Sequence, residues 1–144
     1  MSNTDLLRTS ERSLLPPGFL QDHVFELHID GYHGQAEVDG YHPVSREGIE
    51  ICQSESISAS PKPGQKRKLA ADVLKLIFLR DIGLISRGRI LVTSRALYDW
   101  CQQTGSWLSA ARKQYGIMVE LRGHDNKFLR KKVRNALVRA RREG

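Results

Sequence analysis

The residues best equipped for chemistry are cationic and lie late in the chain. Ser106, Ser109, Arg112 and Lys113 share the outer side of a predicted helix from Trp107 to Tyr115. Such a set can donate hydrogen bonds to base edges in a DNA groove, and Arg donates two to a guanine edge, which Lys does less well. Arg87 and Arg95, upstream, have the charge and reach of phosphate contacts. Farther on, Lys127, Arg130, Lys131, Arg134, Arg141 and Arg142 line one side of a segment whose other side carries Leu129, Val133, Ala136, Leu137 and Ala140. One stripe packs and the other is cationic. A face of this kind neutralises phosphates, releases counterions and binds any sequence in a salt-sensitive way. The alternative for its start is a wing, with Gly123 to Asn126 as a hairpin turn and Phe128 to Val133 as a strand. The helix is preferred because its apolar row persists to Ala140.

A second group sits near the start. Asp30-Gly31-Tyr32-His33 is echoed by Asp39-Gly40-Tyr41-His42, and His28 lies close by. Histidine and aspartate ligate zinc, but no HxxxH or CxxC spacing accompanies them. They read as polar turn residues with Tyr32 and Tyr41 half buried, and no metal is expected. Cys52 and Cys101 are too far apart for a zinc pair and too few for a disulfide framework, so they read as two reduced thiols. There is no P-loop, GxSxG, HExxH or dinucleotide fingerprint. No catalytic residue, cofactor or enzymatic activity is therefore expected.

The elements that must carry these side chains follow from periodicity. Residues 1–17 read as a disordered N-terminus ending at Pro16-Pro17. Residues 18–52 read as a small β-rich segment, with strands over Val24–Ile29, Gln35–Val38 and Gly48–Cys52. The two Asp-Gly dipeptides are expected to be turns flanking the middle strand. Residues 53–66, rich in Ser, Pro, Gly and Lys, read as a flexible linker. Residues 67–144 read as a basic helical module. Its first helix runs Lys66 to Ile82, with apolar rows Leu69, Val73, Ile77 and Ala70, Leu74, Phe78. Lys68, Asp72 and Lys75 are placed on its outer face. Gly83 closes it, Arg89–Val92 follows as a strand, and Arg95–Gln103 and Trp107–Tyr115 are helices around a Thr104-Gly105-Ser106 break. Ile117–Leu121 is a second strand able to pair with the first. The fold class expected is α+β. Two short helices around a Gly turn, flanked by strands, make the module resemble a helix-turn-helix or winged helix, in which the later helix enters the major groove.

Charge supports this division. Residues 1–60 hold three basic and ten acidic residues, and the rest hold twenty basic and six acidic, for a net charge of +7 over 144 residues. That asymmetry favours a polyanionic partner for the C-terminal part. No apolar run reaches the ~18 residues of a membrane span, which points to the cytoplasm or nucleoid. The function expected is a DNA-binding protein, a transcriptional regulator or accessory factor of a prokaryotic chromosome, phage or plasmid. Two alternatives stand beside it. One is an adaptor or inhibitor meeting a protein partner, or a second copy of the chain, through the acidic segment. The other is RNA binding, for which Trp107, Tyr115 and Phe128 are few stacking aromatics.

Overall fold

A computed structural model describes residues 14–53, 61–103 and 105–122. The expected phosphate-binding segment from Lys127 to Arg142, the N-terminus through residue 13 and half of the expected linker lie outside the described residues. The elements are β1 (Leu20–Ile29), β2 (Tyr32–Tyr41), β3 (Glu47–Cys52), α1 (Pro63–Asp81), β4 (Arg87–Val92), α2 (Arg95–Gln102), α3 (Trp107–Gln114) and β5 (Met118–Leu121).

The strands form one five-stranded sheet in the order β1-β2-β3-β4-β5. The first three are antiparallel, whereas β3 pairs with β4 and β4 with β5 in parallel. The α+β class holds as a mixed sheet with three helices. The parallel β3–β4 ladder, from Glu47 opposite Arg87 to Cys52 opposite Val92, joins the acidic segment to the basic module. The boundary seen in composition is thus a boundary of charge, and the sheet runs across it.

Local chemistry explains most of the elements. Asp30 and Gly31 have φ of 44° and 81°, the two positive values that a type I′ hairpin turn demands. The second Asp-Gly behaves differently. Asp39 and Gly40 lie inside β2, and the chain reverses later, around Arg46, whose N–H bonds the His42 carbonyl at 2.7 Å. The sequence expectation of a turn at Asp39 fails because tertiary packing uses Gly40 otherwise: a Cβ there would meet Leu15 Cδ2 at 2.5 Å. α1 starts earlier than its apolar stripe suggests. Pro63 opens its first turn, where a missing N–H costs nothing, and Gln65 Oε1 accepts the Lys62 N–H at 2.9 Å. Gly83, at φ 83°, ends it as expected. Ser94 and Ser106 cap α2 and α3, each accepting the N–H three residues on.

The winged-helix resemblance is where the expectation and the fold part. β4 and β5 do pair, but in parallel, so they are not a hairpin wing. α2 and α3 form the crossover that a parallel pair requires.

All three helices contribute to one core on one face of the sheet. Leu69, Val73, Leu76 and Leu79 of α1 meet Ile90 and Val92 of β4, Leu97 and Cys101 of α2, Leu108 of α3 and Ile117. On the opposite face Ile49, Ile51 and Leu91 are covered by Leu14, Leu15 and Phe19. The buried row of α1 is therefore Leu69-Val73-Leu76, rotated from the sequence reading. That rotation leaves Leu74 exposed and carries Asp72 inward, to 5% exposure.

Candidate functional site

Along β3, side chains alternate between the two faces. Ile49 and Ile51 join the core under the N-terminal segment, whereas Glu50 and Cys52 point to the helix side. There they meet a polar row of α1 at Lys68, Asp72 and Lys75. The spacing i, i+4, i+7 places these three on one helix face. Lys75 Nζ binds Glu50 Oε1 at 2.9 Å and the Glu37 carbonyl at 3.0 Å. Lys68 Nζ binds Asp72 Oδ2 at 2.8 Å and the Ile51 carbonyl at 3.2 Å. The Cys52 thiol donates to the same Asp72 oxygen at 3.1 Å.

The last member comes from β2. Gly40 and Tyr41 pair with Ile49 and Gly48, and the ladder ends there. At the next step the Asp39 carboxylate, not a backbone carbonyl, accepts the Ile51 N–H at 2.7 Å. A backbone donor freed by parting strands needs an acceptor, and the carboxylate supplies it. The Asp39 carboxylate and the Lys68 ammonium thus meet at Ile51, one on its N–H and the other on its carbonyl, close to Glu50.

This group is buried at its floor and open at its rim. Glu50 and Asp72 are 3% and 5% exposed, whereas the Lys68 side chain is about half exposed. Burial pushes Glu50 up to about 8, with the nearby Asp39 and Asp72 adding to it, against the pull of Lys75. Burial, with Asp72 beside it, also raises the Cys52 thiol, which stays protonated and unreactive. For Lys68, burial favours the neutral amine, but the anionic surroundings outweigh it and keep the ammonium charged.

The surroundings of the cluster are cationic. β3, β4 and β5 run parallel, so their carboxyl ends share one edge, where ligand sites of open sheets gather. Lys62 and Lys66 of the α1 N-terminus lie at that edge, Lys66 with its ammonium 5.2 Å from the centre of the Trp100 ring. Arg95 opens α2 beside them.

The residues expected from the sequence to contact nucleic acid are dispersed by the fold. Arg87 begins β4 and Arg95 follows its end, so the strand alone separates them by roughly 17 Å at ~3.3 Å per residue. Arg87 pairs with buried Glu47, and Arg95 with exposed Asp99 at 3.2 Å. Ser106 is spent as the α3 cap, accepting the Ser109 N–H. Ser109 and Arg112 turn inward. The Ser109 hydroxyl donates to the Cys101 carbonyl at 2.9 Å, and Arg112 donates to the carbonyls of Ile117 and Cys101 at 2.9 and 3.3 Å. At 4% and 8% exposure these two hold the crossover together and have no face left for a base edge. Lys113 is exposed. Lys127, Arg130, Lys131, Arg134, Arg141 and Arg142 lie outside the described residues.

Sequence reading missed Asp39, Glu50, Lys68, Asp72 and Lys75. A signal for the last three was present as a polar row at helical spacing that ran beside, rather than opposite, the apolar row. Among the described residues no group of three or more His, Cys, Asp or Glu is arranged to hold a metal ion, and no helix is long and apolar enough to cross a membrane. No family model, curated protein or solved structure matches the chain.

Proposed function

We propose that the protein binds nucleic acid, DNA foremost, and that the Asp39–Glu50–Lys68 cluster is a centre for cation-assisted hydrolysis of a phosphodiester. The observation that carries this is the meeting of the Asp39 carboxylate and the half-exposed Lys68 ammonium at Ile51, close to the buried Glu50. Mg²⁺ takes oxygen ligands and is commonly held by one or two carboxylates plus substrate phosphates, not by a full protein cage. Asp39 would supply a carboxylate oxygen to such a cation, and Glu50 a second once the cation displaces the proton that burial favours. A cation bound there would lower the pKa of its water and polarise the phosphoryl oxygen. Lys68, half exposed, would pair with a non-bridging phosphate oxygen, and Lys75 holds Glu50. Water adds to phosphorus, one P–O ester bond breaks, and the products are a phosphomonoester and a hydroxyl end.

The cationic edge supports the substrate class. Lys62, Lys66 and Arg95 lie beside the cluster, and the net charge of residues 61–144 draws a polyanion. Without the cluster's chemistry, the same surface describes the DNA-binding regulator or accessory factor expected from sequence.

The test incubates the full chain with plasmid DNA, and separately with RNA, in Mg²⁺ or Mn²⁺. Cleavage by the wild type, lost in Asp39→Asn and Glu50→Gln while mobility-shift binding persists, supports the proposal. Binding without cleavage in either cation removes the hydrolytic half and leaves a DNA-binding protein. Absence of binding at low salt removes both, in favour of a protein partner for the acidic segment.

A further inference from the structure

The β1–β2 hairpin brings together two of the histidines that the sequence singled out and separates the others. His28 and His33 are direct cross-strand partners beside the Asp30-Gly31 turn. Their Nδ1 atoms are 2.8 Å apart, and their ring centres 4.7 Å. Both side chains are exposed. His42 is otherwise engaged, accepting the N–H groups of Val44 and Ser45 through Nδ1 and packing edge-on against Phe19. His23 stacks on Tyr41.

Two imidazoles sharing a hydrogen bond need at least one neutral ring to accept it. The same geometry suits a metal. With metal–nitrogen bonds of ~2.05 Å, a nitrogen separation of 2.8 Å subtends about 86° at the ion. That is close to the ~90° between neighbouring ligands in tetragonal or octahedral coordination, and well below the tetrahedral angle of structural zinc. Glu26, two residues from His28, is engaged by Gln35 opposite at 2.8 Å, so the pair offers two nitrogen donors.

We propose that His28 and His33 chelate a late first-row divalent cation of the Cu(II) or Ni(II) class through their two Nδ1 atoms, with water completing the coordination. Chelation requires the donating ring to carry its proton on Nε2 instead of Nδ1; a small rotation of each ring then turns two Nδ1 lone pairs toward a common ion. The site is separate from the Asp39–Glu50 cluster in ligand type: imidazole nitrogens suit late transition metals, and carboxylates suit Mg²⁺. It spans the first and second strands, so an ion bound there ties the edge strand to the sheet.

Calorimetric titration of the full chain with Ni²⁺, and Cu(II) spectroscopy on the same protein, test the proposal. The wild type is expected to bind one Ni²⁺, and its Cu(II) spectrum to show coupling to two nitrogens. His28→Asn and His33→Asn, both at exposed positions, are each expected to weaken binding at least ~10-fold and to leave at most one coupled nitrogen. Glu50→Gln is expected to bind Ni²⁺ as the wild type does, which keeps the result independent of the hydrolytic reading. Unchanged Ni²⁺ binding in the two histidine variants, or no binding by the wild type, overturns the proposal.

Discussion

The Asp39 carboxylate accepts the backbone N–H of Ile51 at 2.7 Å, a side chain standing in for a strand just where the β2–β3 ladder stops. The contact does two things. It satisfies a donor that parting strands would leave bare, and it holds a carboxylate next to Glu50. The local cost of opening the sheet and the assembly of the polar cluster are thus one structural event.

Glu50 makes stability depend on pH. Its carboxyl is raised to about 8 in the folded protein from about 4.5, chiefly by burial. Between those values the folded state keeps a proton that the unfolded chain has lost. The associated stabilisation is complete below about 4.5 and is lost as pH rises through about 8, by at most ~1.4 kcal/mol per unit. Thermal unfolding of the wild type is expected to weaken over this range, and Glu50→Gln to flatten the dependence. Parallel curves for the two proteins would contradict the assignment.

Arg112 is expected to be a stability residue. Its guanidinium bonds the carbonyls of Ile117 and Cys101 from a buried position. Arg112→Ala removes the bond to the Ile117 carbonyl and one of two to the Cys101 carbonyl, which Ser109 still serves, and leaves a cavity, a loss of about 2–4 kcal/mol. Urea denaturation measures it. A variant of unchanged stability but altered base preference would restore the groove-reading role.

The two Asp-Gly dipeptides are expected to respond to alanine for different reasons. Gly31→Ala meets nothing within 4 Å but must hold φ near 81°, so it costs about 1 kcal/mol from backbone strain. Gly40→Ala has no such strain, and its cost follows Leu15. Pairing it with Leu15→Ala should therefore relieve the steric part, whereas Leu15→Ala should not help Gly31→Ala. A double-mutant cycle by denaturation distinguishes the two.

Arg95 and Arg87 are expected to differ in DNA binding. Arg95 shares the carboxyl edge with Lys62 and Lys66, and Arg87 lies at the other end of β4. Arg95→Gln should lower the slope of log K against log salt by about 1, and Arg87→Gln should leave it unchanged. Equal effects of the two would place the DNA elsewhere on the surface.

Much of the fold was legible in the sequence because its signals are local. Period-two alternation marked β1, the Thr104-Gly105-Ser106 break separated two helices, and Gly83 announced a helix end. Asp30-Gly31 needed only its own backbone preference to form the hairpin turn. The charge boundary near residue 60 was equally plain. The sequence by itself determined where most elements begin and end, and that the second half is cationic.

Only the tertiary structure decided what those elements assemble. Parallel pairing of β3 with β4 and of β4 with β5 is set by contacts between residues far apart in the chain, so two capped helices became a parallel crossover and the strands flanking them did not form a hairpin wing. Asp39-Gly40 has the same turn chemistry as Asp30-Gly31, yet Leu15 and Ile51 hold it in a strand. Asp72 looked like a solvated helix charge until the packing of Leu69, Val73 and Leu76 rotated it inward to Cys52 and Lys68. Hydrophobic burial fixes the rotation of a helix, and the polar side chains beside the buried row are carried wherever that rotation takes them.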